Sequence, residues 1–316
     1  ALRSEYIGID LENYVIFFES GNYTPEVSSE SGFFLFTELI SLFTNNSQIF
    51  IAIISFSILL PIFLFVKKES SNVVFSLFIF YILSNEGGYL FTFTGLRQSM
   101  ALGMVLWFFY SFFNKNYYLA TVFLFIAFSF HNSAIFSLPI VLLSTLIKNR
   151  KAITLLIIIS AIIGMFGVFL LKPLNTGIAV IDSYTNFYAS YALNMKANLF
   201  GLVAIIVPNT YFALFALKNK SNDWYAKIFY LGVFGSNLLA AVPNVQRFFY
   251  YYTVLQIIVV ANLYNSLKQK NEKLLLFISI GLMVIYFMYW LYRISQSSSI
   301  ALGQNVIVPY KFYSTN

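Results

Sequence analysis

The sequence predicts an all-α, polytopic integral membrane protein, and three observations carry that expectation. Of 316 residues, 59% are hydrophobic and 10% charged, against about 25% charged in an ordinary soluble domain. Apolar runs recur near the length a bilayer-spanning helix needs, roughly 17 to 25 residues, with shorter ones admissible where neighbours or a thin membrane help. The basic residues gather in the short links between those runs. The absence of cysteine excludes disulfides and thiolate metal sites, and a single histidine excludes a histidine cluster. A net charge of +7 spread over separate loops, not gathered on one soluble face, argues for no nucleic-acid partner.

Ten runs are expected to span, at 48–66, 73–85, 97–113, 117–130, 132–147, 152–171, 198–217, 225–241, 247–266 and 274–292. Pro61, Pro139 and Pro208 fall inside three of them, where each is expected to kink its helix and free carbonyls that neighbours must satisfy. That points to a packed bundle, one membrane domain over residues 1–316. Lys67 and Lys68, Lys115, the run Lys148 to Lys151, Lys218 and Lys220, and Lys268 to Lys273 share one side of it, which makes that side cytoplasmic. The other side receives nine of the twelve acidic residues, the segment 1–47, the loop 172–197 and the tail from Arg293. Within the first of these, Gly32 to Thr44 is too short to span and is interrupted by Glu38, so it is expected to lie as a helix in the outer interface. Because the chain starts on a polar stretch at Ala1, a membrane segment upstream of it is expected.

The arginines separate by side. Arg150 is cytoplasmic, whereas Arg3, Arg97, Arg247 and Arg293 are expected at the outer face, where loop charge does not call for them. Snorkelling toward headgroups explains an arginine at a helix end. Four together on the acidic side suit an anion, because guanidinium groups offer planar paired donors to phosphate oxygens. Arg97, followed by Gln98, and Arg247 are expected to open their helices, where backbone amides add positive potential. A lipid-linked diphosphate matches such a site, with its tail kept in the bilayer.

His131 falls at an outward turn and can deprotonate a hydroxyl or hydrogen-bond a sugar, or else be satisfied structurally by Asn132 or a backbone carbonyl. Asp10 and Glu12 form a D-x-E pair in the outward N-terminal segment, able to hold a divalent ion or supply a base, or simply to be solvated. Glu30 and Glu86 each shortly precede a glycine on the same side. The loop Lys172 to Ala197 carries tyrosines such as Tyr184 and Tyr188, whose faces can stack on sugar rings, or which can cap the bundle.

In order along the chain, the residues Leu2, Arg3, Gly8, Asp10, Asn13 and Tyr14, then E-x-G-F at Glu30 to Phe33, G-L-R-Q-x-x-A at Gly95 to Ala101, F-H-x-S-A at Phe130 to Ala134, R-F-x-x-Y at Arg247 to Tyr251 and Pro309-Tyr310 together resemble the EpsG/Wzy-type family of oligosaccharide repeat-unit polymerases. The resemblance implies a GT-C-like membrane glycosyltransferase of O-antigen, capsule or exopolysaccharide synthesis, acting at the outer face of the plasma membrane. It implies undecaprenyl-diphosphate-linked oligosaccharides as substrates, no cofactor or metal, and further membrane helices ahead of Leu2. A chain-length regulator and a flippase are the protein partners such an enzyme suggests. On this reading Arg97, Arg247 and Arg293, with Arg3 and Gln98, hold the diphosphate, and Asp10 is the base, with His131 as its hydrogen-bonding companion. Glu30, Glu86, Tyr14, Tyr184, Tyr188 and Tyr251 are glycan contacts. Two other functions compete: a lipid-linked oligosaccharide flippase, which calls for deep charges and an internal repeat, and an O-antigen ligase-type or acyl transferase.

Overall fold

Apolar runs punctuated by asparagine caps and lysine-rich ends give helices where the sequence places them. The computed structural model describes residues 11–21, 30–83, 87–170, 199–218, 224–240, 245–269 and 272–296, and all regular structure among them is helical. The chain divides into two units, Ala1–Leu138 with Phe287–Asn316, and Pro139–Tyr286.

The first unit opens with α1 (Leu11–Ser20), which buries Leu11, Tyr14, Val15, Phe17 and Phe18. That helix adds to the expectation for 1–47, which named the interfacial helix. The spacing of Leu11, Tyr14, Val15 and Phe18 is that of one helical face, hidden by the flanking glutamates. The interfacial segment forms α2 (Ser31–Ser41). Next comes α3 (Ser47–Glu69), capped by Asn46 Oδ1, which accepts from the amides of Gln48 at 2.8 Å and Ile49 at 3.2 Å. Lys67 and Lys68 fall in its last turn, favourable for the helix dipole. A shorter helix, α4 (Val73–Ile82), is capped by Asn72, and a 3-10 turn at Tyr89–Phe93 leads into α5 (Leu96–Phe113). α6 (Tyr117–Phe130) follows, capped by Asn116, then a 3-10 turn at Asn132–Phe136 and α7 (Ser137–Leu146).

Pro61 lies inside α3, and the Trp107 indole N–H of α5 donates to its carbonyl at 3.0 Å. Gly103 makes that approach feasible, since a Cβ there would sit 3.1 Å from the Pro61 ring. Pro139 departs from expectation. It falls in the first turn of α7, where a missing N–H disrupts no helical bond, so it does not kink the segment 132–147.

The second unit comprises α7 from Pro139 onward, α8 (Arg150–Leu170), α9 (Leu199–Lys218), α10 (Trp224–Leu238), a 3-10 turn at Val245–Phe249, α11 (Tyr250–Thr253), α12 (Gln256–Gln269) and α13 (Lys273–Gln296), whose last residues from Phe287 belong to the first unit. Helix α10 packs on α8, α9, α11 and α12. The expected continuous helix at 247–266 is broken. Bonds of the tighter type, Leu255 N–H to the Tyr252 carbonyl and Ile257 N–H to that of Val254, interrupt it. Bulk explains the break: Tyr250, Tyr251 and Tyr252 are all buried, and Gly232 of α10 accepts the Tyr252 Cβ where a methyl group would lie 2.6 Å from it.

Among the described residues, α3 is the one helix long and apolar enough to cross a membrane, and shorter apolar helices accompany it at 31–41, 73–82, 117–130, 132–146 and 205–217. Its apolar character is not confined to the buried side: Ile51, Ile54, Ile58 and Ile62 face inward, while Phe56, Phe63 and Leu64 are exposed.

Candidate functional site

A register set by one glycine brings distant residues together. Gly32 lies in the first turn of α2, and a Cβ at that position would collide with both side chain and backbone of Ser129 near the end of α6. Glycine therefore allows the two helices to touch there. Two residues before Gly32 stands Glu30, and two residues after Ser129 stands His131, in extended backbone that ends α6. This puts the carboxylate against the imidazole, with Glu30 Oε1 2.6 Å from His131 Nδ1. The Asn132 amide approaches the same oxygen at 3.4 Å.

The other oxygen faces α5. Arg97 Nη1 is 2.9 Å from Glu30 Oε2, and no hydrogen bond aligned on that oxygen is found among the described residues. The contact is therefore chiefly one of charge at short range. Arg97 Nε donates to the Tyr14 hydroxyl of α1 at 2.8 Å, and the guanidinium carbon lies 5.7 Å from the Tyr14 ring centre. Tyr14 in turn packs on Phe33 of α2, with ring centres 5.1 Å apart. Four segments, α1, the start of α2, the start of α5 and the end of α6, thus close around one carboxylate.

Exposure divides the cluster by role. The Glu30 side chain is 6% exposed, whereas Arg97 and His131 are 23% and 28% exposed. A carboxylate taken out of water needs a counter-charge and donors, and Arg97 and His131 provide both. An ionised carboxylate only accepts hydrogen bonds, so His131 Nδ1 is the donor of this pair and Nε2 is the ring nitrogen that Glu30 does not engage. The partly exposed side of the cluster is therefore an imidazole and a guanidinium held by one carboxylate. Gly95, the residue capping α5, contributes no side chain to the helix's first amides. Gln98 and Ser99 behind Arg97 are buried, and the Ser99 hydroxyl has no partner among the described residues.

The remaining expected site residues are distributed otherwise. Arg3, Asp10, Glu86, Tyr184 and Tyr188 lie outside the described residues, as does the side chain of Arg293 on α13. Arg247 is exposed, but it is the middle residue of the 3-10 turn Val245–Phe249 and does not open a long helix as expected. Tyr251 is fully buried in α11, its ring 6.3 Å from that of Tyr252. His131 takes a third course between the expected structural partners and a free catalytic role. Its partner is Glu30, while Asn132 gives its backbone amide to the same carboxylate. The sequence signal for this pairing was the glycine two residues beyond Glu30, a position where a helix without a Cβ can be approached closely.

Comparison with known proteins bears on the chain as a whole. No curated protein and no solved structure matches it. The model of the EpsG family matches residues 1–312. Since that match takes in all four segments that meet at Glu30 and nearly everything between and beyond them, the chain belongs to the EpsG family, which implies a role in exopolysaccharide biosynthesis.

Proposed function

We propose that this protein is an oligosaccharide repeat-unit polymerase, a multi-pass glycosyltransferase of GT-C-like architecture that joins undecaprenyl-diphosphate-linked units at the outer face of the bacterial plasma membrane. Family membership supports the pathway. The length of α3, and the apolar residues on its exposed as well as its buried side, support the membrane setting. The observation that carries the reaction is that Glu30 holds Arg97 through one oxygen and His131 through the other.

In the proposed reaction an acceptor hydroxyl oxygen bonds to the anomeric carbon of the growing glycan as the bond from that carbon to the diphosphate oxygen breaks. The hydroxyl proton passes to His131 Nε2, and the electron pair of the broken bond leaves on the diphosphate. The Glu30 contact favours His131 over Asp10 as the base, because it holds the ring through Nδ1 and leaves Nε2 for the hydroxyl. Glu30 also couples the two halves of the step. Before reaction, Arg97 supplies its counter-charge; once His131 is protonated, the imidazolium shares that task, and the charge of Arg97 is released toward the departing diphosphate. Positive potential is thus largest when the leaving group becomes most negative, the condition for stabilising a transition state more than a ground state.

The test is to incubate the full-length protein in nanodiscs with synthetic undecaprenyl-diphosphate repeat units and resolve the products by length. A ladder of products is expected from the cognate unit. Folded protein that extends no cognate unit sinks the polymerase reading, and extension that survives both Arg97→Ala and His131→Ala sinks the assigned roles.

A further inference from the structure

Helices α3 and α4 enclose between them an apolar cavity of about 410 Å³, walled by Phe56, Leu60 and Phe63 of α3, Leu77 and Tyr81 of α4, and Tyr89 of the 3-10 turn. Phe56, Leu60 and Phe63 are spaced as one stripe of a helix. Phe56 and Phe63 remain 63% and 42% exposed, so the cavity opens sideways along α3 as a groove. Carbon dominates its walls, which leaves nothing to hydrogen-bond a sugar, a peptide backbone or an ion. Its occupant must be hydrocarbon.

Two routes connect the groove with the segments that hold Arg97. Tyr89, with its ring 5.6 Å from that of Tyr81 and 5.1 Å from that of Phe93, begins the turn that runs through Gly95 into the first turn of α5. On α3, Phe50 stacks at 4.3 Å on Phe18 of α1, the helix whose Tyr14 holds Arg97. From Phe50 to the stretch Phe56 to Phe63 is about 9 to 20 Å along the helix axis, at 1.5 Å per residue. An anionic head beside Arg97 with one flexible apolar chain attached therefore reaches the groove within the first part of that chain. A two-tailed phospholipid would leave its second chain outside this single strip.

We infer that the α3–α4 groove seats the polyprenyl chain of the lipid-linked substrate while its diphosphate lies at Arg97. This assignment rests on the membrane transferase reading above and adds to it where the tail goes. The groove is joined to the head site by α3, which packs on α1, and by the 89–93 turn, which packs on α5, so tail binding helps to align the anomeric carbon with His131.

The experiment uses full-length protein in nanodiscs of phosphatidylglycerol and phosphatidylethanolamine. The probe is undecaprenyl phosphate carrying a diazirine in the prenyl chain near its phosphate, and labelled peptides are mapped by mass spectrometry. Label is expected on peptides covering 56–63 or 77–89. Unlabelled undecaprenyl phosphate should compete it away and additional phosphatidylglycerol should not. Filling the groove with Leu60→Trp or Leu77→Trp should cut labelling roughly tenfold, the loss of about one side chain's worth of apolar contact. If either tryptophan variant loses its thermal transition, Leu77→Phe is measured instead and must reduce labelling in the same direction. Label elsewhere, equal competition by phosphatidylglycerol, or undiminished labelling of folded groove variants each overturns the assignment. No sugar or turnover enters this assay, so protein that labels as expected but makes no polymer overturns the polymerase reading and leaves the groove standing. Chain growth with the label elsewhere overturns the groove alone.

Discussion

Polar side chains are buried in both units of the molecule, but to different ends. In the second unit they are neutral: Asn237 Nδ2 donates to Thr210 Oγ1 at 2.8 Å, joining α10 to α9, and the Tyr211 and Ser279 hydroxyls lie 3.0 Å apart, joining α9 to α13. Hydrogen bonds of this kind between helices contribute about 0.6 kcal/mol each, rarely above 1.7 kcal/mol. In the first unit the polar group is a carboxylate, Glu30, compensated by Arg97 and His131, both of which stay partly open. Removing one partner of a buried ion pair costs about 3 to 5 kcal/mol, because the other charge is stranded. A bundle that needed only fastening would use the neutral kind. The charged, half-open kind suits the proposed role toward a ligand.

Variants can break that contrast. The largest effect is expected from Glu30→Ala, which frees the imidazole and leaves Arg97 without its counter-charge; product length and yield should fall at least about a hundredfold, the scale of a lost general base. Arg97→Ala should lower stability by about 3 kcal/mol in a denaturant titration and abolish chain growth. Glu30→Leu combined with Arg97→Met should recover much of that stability and none of the synthesis, since a matched apolar pair replaces an ion pair with little penalty. Recovery of synthesis in the double variant would make the cluster mere fastening.

Smaller effects sharpen the comparison. Gly32→Ala should separate α2 from Ser129 and lower the synthesis rate more than it lowers thermal stability, measured side by side on one preparation. Tyr14→Phe removes the acceptor for Arg97 Nε and should reduce synthesis by roughly tenfold or less, the value of about 1 kcal/mol. Asn237→Leu, in the other unit, is the control: a stability change of about 1 kcal/mol and unchanged synthesis per folded molecule, read from product formed per unit of monodisperse protein. A loss there as deep as at Glu30 would erase the distinction between the two units.

How much of this the sequence disclosed depends on range along the chain. Helices bounded by local chemistry were legible: α6 occupies its expected residues 117–130, and the expected run at 48–66 lies within α3, because Asn46, Asn116 and the terminal lysines are neighbours of what they cap. Features set by contact were not. The break after Thr253 depends on where Gly232 of α10 sits, and the first turn of α7 depends on how the chain leaves α6. The same division holds at the site. Tyr14, Glu30, Arg97 and His131 were each singled out by type and position, but Glu30 was expected among glycan contacts. Its oxygens meet His131, which is 101 residues away, and Arg97, which no local pattern links to it. Charge and hydropathy along a chain say which residues are costly to bury, not which ones will share the burial.

The 101-residue span between Glu30 and His131 also sets an order of events during biosynthesis. At about 5 to 20 residues per second, the carboxylate leaves the ribosome about 5 to 20 s before the imidazole. Arg97 is made between them, so the ion pair can form first, and the proposed base is added only when α6 has been synthesised and Gly32 has found Ser129. A nascent chain therefore acquires its proposed anion-binding charge before it acquires the means to use it.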